Sequence, residues 1–314
     1  MIGDIILNVY FVFSIEKFNE SVLVEGYFFS KYLILYNLIC RIFGKNIIVI
    51  IVHHFDYYGS NDKFFLRRWF YKLRAWGSLI LAEKLVTGSK YSKDEISSLG
   101  IDLNSVLIIP PGIDRQDLEV YPRKDDSDSK VKLLCVSHLT PRKGIFYLIE
   151  AFEEIDNSMA ELHIVGNMDA DIKYTHKVNK LIDKLNLHDK IVLHGRIDQN
   201  RLNEIFSNSD LFIFPSLLEG FGIVLLEAMY FGLPIVAANV SAIPELVEDG
   251  ENGFLVEPAN SQSLAAGISE LITNSKLRTE MSRESKKRLE NSYFWHQTTD
   301  KFYSYVSELI FAVK

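Results

Sequence analysis

Between Asp210 and Ala238 the chain runs apolar, breaks, becomes helical in pattern, turns, and runs apolar again. The first run is Asp210-Leu211-Phe212-Ile213-Phe214-Pro215-Ser216, which reads as a strand. After Glu219-Gly220-Phe221-Gly222 comes Ile223-Val224-Leu225-Leu226-Glu227-Ala228-Met229-Tyr230, which reads as a helix. Gly232-Leu233-Pro234 then turns the chain into Ile235-Val236-Ala237-Ala238, a second strand. Strand, loop, helix, turn, strand is the repeating unit of a parallel α/β sheet. Such sheets bind ligands beyond the carboxyl ends of their strands, and the Glu219–Gly222 loop follows such an end.

That loop carries its own chemistry. A helix starting near Gly222 aims free backbone N–H groups and a positive dipole end into it, which suits a phosphate. Glu219 and Glu227, seven intervening residues apart, can take hydroxyls on either side. An anionic linker with hydroxylated groups at both ends describes a nucleotide-sugar.

The same alternation runs through the rest of the chain. Ile5–Phe13 reads as a strand, Val22–Phe43 as a buried helix, and Asn46–Val52 as a buried strand. Phe64–Ala82 reads as a helix, Lys84–Thr87 as a short strand, Ser92–Leu99 as a helix and Val106–Ile109 as a strand. Pro110-Pro111-Gly112-Ile113-Asp114 and the polar run Arg123–Lys130 then mark a boundary or hinge. Beyond it, strands are expected at Lys132–Val136, Glu161–Val165, Lys190–Leu193, Leu211–Phe214, Pro234–Ala237 and Phe254–Val256. Helices are expected near Gly144–Glu154, Asp171–Leu185, Gln199–Ser207, Ile223–Tyr230, Ile243–Glu248, Leu264–Ser275 and Leu277–Ser292. A last helix, around Gln297–Ala312, could reach back to the first domain. The expectation is an α/β chain of two Rossmann-like domains facing a cleft: residues 1–115, residues 116–296, and a C-terminal helix over 297–314.

Composition narrows the functions open to this fold. A length of 314 residues with 48% apolar content suffices for two buried cores. A net charge of −7 argues against bulk nucleic-acid binding, so any anion site must come from local cations and helix ends. Cys40 and Cys135 lie in apolar runs and read as buried free thiols of a reducing compartment, with no cysteine pattern for a metal. The start, Met1-Ile2-Gly3-Asp4, lacks a basic signal region, and Glu16, Lys17, Glu20, Glu25 and Lys31 interrupt the early apolar segment. No charge-free run there reaches the ~18 residues of a membrane span. A cytoplasmic location is expected. Residues 64–84 interleave Arg67, Arg68, Lys72, Arg74 and Lys84 with Phe64, Phe65, Trp69, Phe70, Tyr71 and Trp76. Such a helix either lies on the cytoplasmic face of an anionic membrane or packs into a core with snorkelling arginines. Asp169-Ala170-Asp171 has the look of a metal-binding Asp-x-Asp, but it follows a strand–helix turn, where acids cap helices. No metal and no resident cofactor are expected; the oligomeric state is left open.

Seven segments in order carry a family resemblance: Pro110-Pro111-Gly112-Ile113-Asp114, Val136–Gly144 with its Pro141-Arg142-Lys143-Gly144, His163-Ile164-Val165-Gly166, Leu193-His194-Gly195-Arg196, the Glu219–Glu227 segment, Gly232–Ala237, and Gly250–Val256. Together they resemble the donor half of GT-B glycosyltransferases of the family-4, retaining, group 1 type. The resemblance implies a nucleotide-diphosphate-sugar donor, a glycan or lipid-linked acceptor, and metal-independent transfer with retention. It assigns Glu227 to the donor ribose and Glu219 to hydroxyls of the transferred sugar. Arg142 and Lys143 fall to the diphosphate, and the backbone at Gly222, Ile223 and Val224 to sugar and diphosphate. Phe221 and Arg196 join the donor site, and His53, after the strand Ile48–Val52, falls near the sugar.

Two features depart from the family pattern. His138 stands where the family carries an arginine, and an imidazole has neither a fixed charge nor a bidentate fork. The region before the hinge spans only about 110 residues, and its start resembles a later strand of the family's acceptor domain. The first domain is therefore expected to be short or truncated. The rival reading is a catalytically inactive nucleotide-sugar-binding or scaffolding subunit that kept the donor domain. A nucleotide-sugar epimerase on the same fold is a second rival.

Overall fold

The computed structural model describes residues 22–27, 46–51, 84–98, 100–122 and 130–312. The chain divides into two compact units, Met1–Pro110 with Thr298–Lys314, and Pro111–Gln297.

In the first unit, β1 (Val22–Tyr27), β2 (Asn46–Ile51), β3 (Lys84–Thr87) and β4 (Val106–Ile108) form a parallel sheet in that spatial order. Helix α1 (Lys90–Ser97) follows β3 and starts where the Ser89 hydroxyl accepts the Ser92 N–H at 3.1 Å. β1 corrects the helix expected over Val22–Phe43. Its six residues pair with β2 from Val22 opposite Asn46 to Tyr27 opposite Ile51. Val22 and Val24 are β-branched and Gly26 is a poor helix former, so the parallel ladder wins over the apolar helical pattern. Residues 28–43 of that expected helix, the strand Ile5–Phe13 and the helix Phe64–Ala82 lie outside the described residues.

The second unit is a six-stranded parallel sheet built from β5 (Val131–Val136), β6 (Ala160–Val165), β7 (Ile191–Gly195), β8 (Leu211–Phe214), β9 (Ile235–Ala238) and β10 (Gly253–Val256). Their spatial order is β10-β9-β8-β5-β6-β7. The chain winds outward from β5 to β7, returns to lay β8 on the other side of β5, and winds outward again. Helices α2 (Ile145–Glu154), α3 (Ile172–Lys184), α4 (Gln199–Ser207), α5 (Ile223–Tyr230), α6 (Ile243–Leu246), α7 (Ser261–Thr273) and α8 (Ser275–Ser292) connect or close it, and α9 (Trp295–Ala312) follows.

Helices clothe both faces, so β8 and β9 are buried at every residue. On one face Leu133, Cys135 and Ile213 pack with Leu148 and Phe152 of α2 and Ile268 of α7. On the other, Phe212 and Phe214 pack with Phe206 of α4 and with Leu225 and Met229 of α5. Each fully buried side chain of this size stabilises the fold by roughly 1.5–3 kcal/mol. Cys135 is a buried free thiol, and burial pushes it up to about 12. Among the described residues, no helix is long and apolar enough to cross a membrane.

Short polar caps set the helix starts, which shifts several from the apolar pattern. Asn260 accepts the Ser263 N–H at 3.0 Å, so α7 begins at Ser261 and not at Leu264. Asn274 ends α7 and caps α8 through the Leu277 N–H at 3.0 Å.

Where β5 and β8 lie side by side, the loops leaving them touch. Gly144, with φ of 67°, packs its Cα against Pro215 so closely that an added Cβ would stand 2.0 Å from the Pro215 carbonyl oxygen. Both the left-handed backbone and the contact require glycine. Gly144→Ala should cost about 3 kcal/mol, lowering Tm by roughly 6–12 °C for a unit of this size. A melting curve superposable on the parent's would contradict this packing.

Candidate functional site

The reversal of strand order between β5 and β8 is a topological switch point, where open α/β sheets hold ligands. The loop after β5 brings His138, Arg142 and Lys143; the loop after β8 brings Glu219 and the start of α5. Pro141–Lys143 forms one 3₁₀ turn that Gly144 ends before α2. The Leu217 N–H donates to the Arg142 carbonyl at 2.8 Å, lacing the two loops together. Lys143 Nζ donates to Glu219 Oε2 at 2.6 Å. Arg142 Nη1 donates to the Leu218 carbonyl at 2.5 Å and approaches Glu219 Oε2 at 3.4 Å. The three side chains are 12%, 27% and 15% exposed for Lys143, Arg142 and Glu219, so water screens this cluster less than a surface pair.

His138 Nδ1 accepts the Asn167 N–H at 3.4 Å, which leaves the ring proton on Nε2. Burial, then the charges of Lys143, Arg196 and Arg142, hold its pKa below the ordinary histidine value. At neutral pH His138 is therefore a neutral donor where the family pattern has a fixed cation.

Helix α5 begins at Gly222, whose φ of 94° and ψ of 59° are left-handed and which provides no side-chain cap. The N–H groups of Ile223 and Val224 have no intrahelical partner, as at any helix start. One turn further, Glu227 lines a pocket of about 620 Å³ with Ile113, Asp114, Gln199, Ile223 and Trp295. The Glu227 carboxyl group makes no hydrogen bond or ion pair with a described residue, and burial alone lifts its pKa to about 7. The two glutamates thus sit in opposite settings: Glu219 is held by two cations, whereas Glu227 is desolvated beside a pocket. A carboxyl group without a protein partner beside a pocket has oxygens that can take hydrogen bonds from hydroxyls.

Residues 119–288 match the family model for glycosyl transferases group 1. The chain belongs to the group 1 glycosyltransferases. An uncharacterised glycosyltransferase of Methanocaldococcus jannaschii is 29% identical over 224 residues, covering 68% of this chain and 56% of that protein. A capsular polysaccharide biosynthesis glycosyltransferase, CapM of Staphylococcus aureus, is 25% identical over 73% of this chain and 60% of its own length. The chain thus spans a little over half the length of these relatives. Among solved structures, Anabaena HepE in complex with UDP superposes with a TM-score of 0.80 at 20% identity, covering 93% of this chain and 80% of that one. Sucrose-phosphate synthase from Thermosynechococcus elongatus gives 0.79 at 20% identity, covering 95% and 76%. These likenesses place the chain in the GT-B class of α/β folds.

Within this group 1 frame the predicted residues separate into clear sets. Arg142, Lys143 and Glu219 meet directly, His138 feels both cations, and Gly222, Ile223, Val224 and Glu227 share the start of α5. Arg196 is exposed at the end of β7, close enough for its charge to depress His138. The Phe221 ring turns inward, buried and 6.2 Å from the Tyr293 ring, so any donor contact there falls to its backbone. His53 and residues 64–83 lie outside the described residues. Asp171 caps α3 through the Tyr174 N–H at 3.0 Å, which gives the Asp-x-Asp segment a structural role. Two pocket residues escape a sequence reading, Gln199 and Trp295, while Asp114 belongs to the Pro110–Asp114 segment. Ile113 and Phe294 form a parallel bridge, and the Trp295 N–H donates to the Ile113 carbonyl at 3.0 Å. That pairing brings residues so distant in sequence to one wall.

Glu227 generates a test with a defined sign. Its folded-state pKa lies above the ordinary 4.5, so between about 4.5 and 7 the folded chain keeps a proton that the unfolded chain releases. Stability therefore falls as pH rises through that window. Glu227→Gln should melt higher than the parent at pH 8, by up to about 3 kcal/mol, and alike at pH 4. Thermal unfolding across a pH series measures this; a variant less stable than the parent at pH 8 would refute an unpaired, desolvated Glu227.

Proposed function

We propose that the chain binds a nucleotide-diphosphate-sugar and transfers the sugar to an acceptor hydroxyl with retention of anomeric configuration. The observation that carries this reading is the Lys143–Arg142–Glu219 cluster beside the uncapped start of α5, with Glu227 one turn away in its own pocket. Glu227 takes the ribose hydroxyls. Lys143, Arg142, the His138 Nε2–H and the N–H groups at the start of α5 stabilise the departing diphosphate. Glu219 orients the transferred sugar. The acceptor oxygen attacks the anomeric carbon on the face the diphosphate leaves, its bond forming as the C–O bond to phosphate breaks, and the acceptor proton passes to the leaving phosphate. Cationic side chains and amides serve the role that a metal ion plays elsewhere.

Anabaena HepE was solved with UDP and with UDP-glucose, which supports a uridine diphosphate sugar as the first donor to test. CapM acts in capsular polysaccharide biosynthesis, which supports a glycan acceptor, and a lipid-linked one fits the same reading. The second reading, a donor-binding subunit without turnover, is favoured by the neutral His138.

A nucleotide-sugar panel read by nucleotide release, with binding measured in parallel, separates the two. Lys143→Ala should reduce transfer by at least about a hundredfold, the size of one electrostatic contact to the leaving group, and Glu219→Ala by a similar factor through the misplaced sugar. Glu227→Ala should weaken donor binding, and chelation of divalent metals should leave turnover unchanged. Unchanged turnover in both the Lys143 and Glu219 variants would sink the transferase assignment. Binding without turnover across a broad acceptor set would favour the second reading.

A further inference from the structure

We propose that Glu219 competes with the donor's diphosphate for Lys143 and Arg142, so that donor binding at this site is an exchange of anions. The inference rests on the donor-site reading above. One carboxylate oxygen, Glu219 Oε2, lies 2.6 Å from Lys143 Nζ and 3.4 Å from Arg142 Nη1. Arg142 is anchored on the Leu218 carbonyl at 2.5 Å, and the Leu217 N–H returns to the Arg142 carbonyl at 2.8 Å. Cations and carboxylate are thus built into one frame, and the carboxylate holds the position between the cations that suits a phosphate oxygen.

A carboxylate and a phosphate cannot share that position. Two anionic oxygens in one contact shell repel, most strongly where side chains are mostly out of water. As the phosphate takes Lys143, Glu219 gives up its ammonium partner and must find other donors or remain desolvated without them. The hydroxyls of the donor's sugar are such donors, and Gly222 lies next to the Glu219 side chain, within 3.5 Å of its Cγ for an added Cβ. A complete donor therefore repays the exchange by giving Glu219 new partners. Pyrophosphate displaces Glu219 and offers it nothing. Glu227 faces a separate pocket lining, so nucleoside contacts there leave this balance unchanged.

The exchange predicts opposite effects of one substitution on two ligands. By isothermal titration with the full chain, Glu219→Gln should bind inorganic pyrophosphate roughly tenfold more tightly than the parent, the size of one charge-assisted contact no longer opposed. The same variant should bind UDP-glucose no more tightly than the parent, because the sugar loses its carboxylate. Glu219→Asp, which withdraws the carboxylate by one methylene, should tighten pyrophosphate with the same sign and smaller size. Lys143→Gln should abolish pyrophosphate binding in either background. If the parent binds pyrophosphate and Glu219→Gln binds it equally or more weakly, Glu219 merely holds Lys143 in place and the exchange is wrong, while the donor-site reading stands. If neither parent nor variant binds pyrophosphate or UDP-glucose, the exchange and the donor-site reading fall together.

Discussion

The pairing of β5 with β8, Leu133 opposite Leu211 and Leu134 opposite Phe212, joins the two directions in which the second sheet is wound. Two loops leave that junction on the same side and diverge to helices on opposite faces, α2 into one core and α5 into the other. The space between diverging connections is what makes a crevice there. It is also why the contact of Gly144 with Pro215 matters: the backbone approach fixes the spacing of the loops before any charged side chain is placed. Lys143 and Glu219 are 76 residues apart in sequence and meet at 2.6 Å because this junction holds their loops together.

The charge of the whole chain gives little guide to that site. A net charge of −7 coexists with Arg142, Lys143 and Arg196 gathered around His138, each lowering its proton affinity. An arginine at position 138 would add a further permanent cation to three already present. The histidine avoids that repulsion and keeps a single donor, with its tautomer set by the Asn167 N–H. The departure from the family pattern thus has a local electrostatic logic: the histidine spares the cluster a further permanent charge.

The sequence was informative where local pattern and tertiary context agree. The fully apolar runs of β8 and β9, framed by Gly232-Leu233-Pro234, could only be buried strands, and Ile223–Tyr230 is helical where the pattern places it. Val22–Tyr27 misled because a short apolar run does not reveal its period, and pairing with β2 decides it. At the site, residue types were legible but their partners were not. Glu219 and Lys143 could be named singly from their motifs, whereas their ion pair depends on strand order. Trp295 was invisible because the pocket wall arises from the bridge between Ile113 and Phe294.

The spacing of Glu219 and Glu227 then takes on a physical meaning. Glu219 lies on the loop, before Gly222 breaks into the left-handed cap, and is free of the helix geometry that fixes Glu227. Loop position lets Glu219 reach across to cations on the other loop. Helix position, one turn from the exposed Ile223, points Glu227 along the pocket-lining side of α5, and among the described residues no cation pairs with it. One carboxylate is therefore paired with cations, and the other is pushed up to about 7 by burial. Seven intervening residues are enough to separate these environments while both side chains still address the same helix start. Moving either glutamate by one position along the chain would turn Glu227 about 100° around α5 or shift Glu219 into the Gly220 turn, and the pairing of a held carboxylate with a waiting one would be lost.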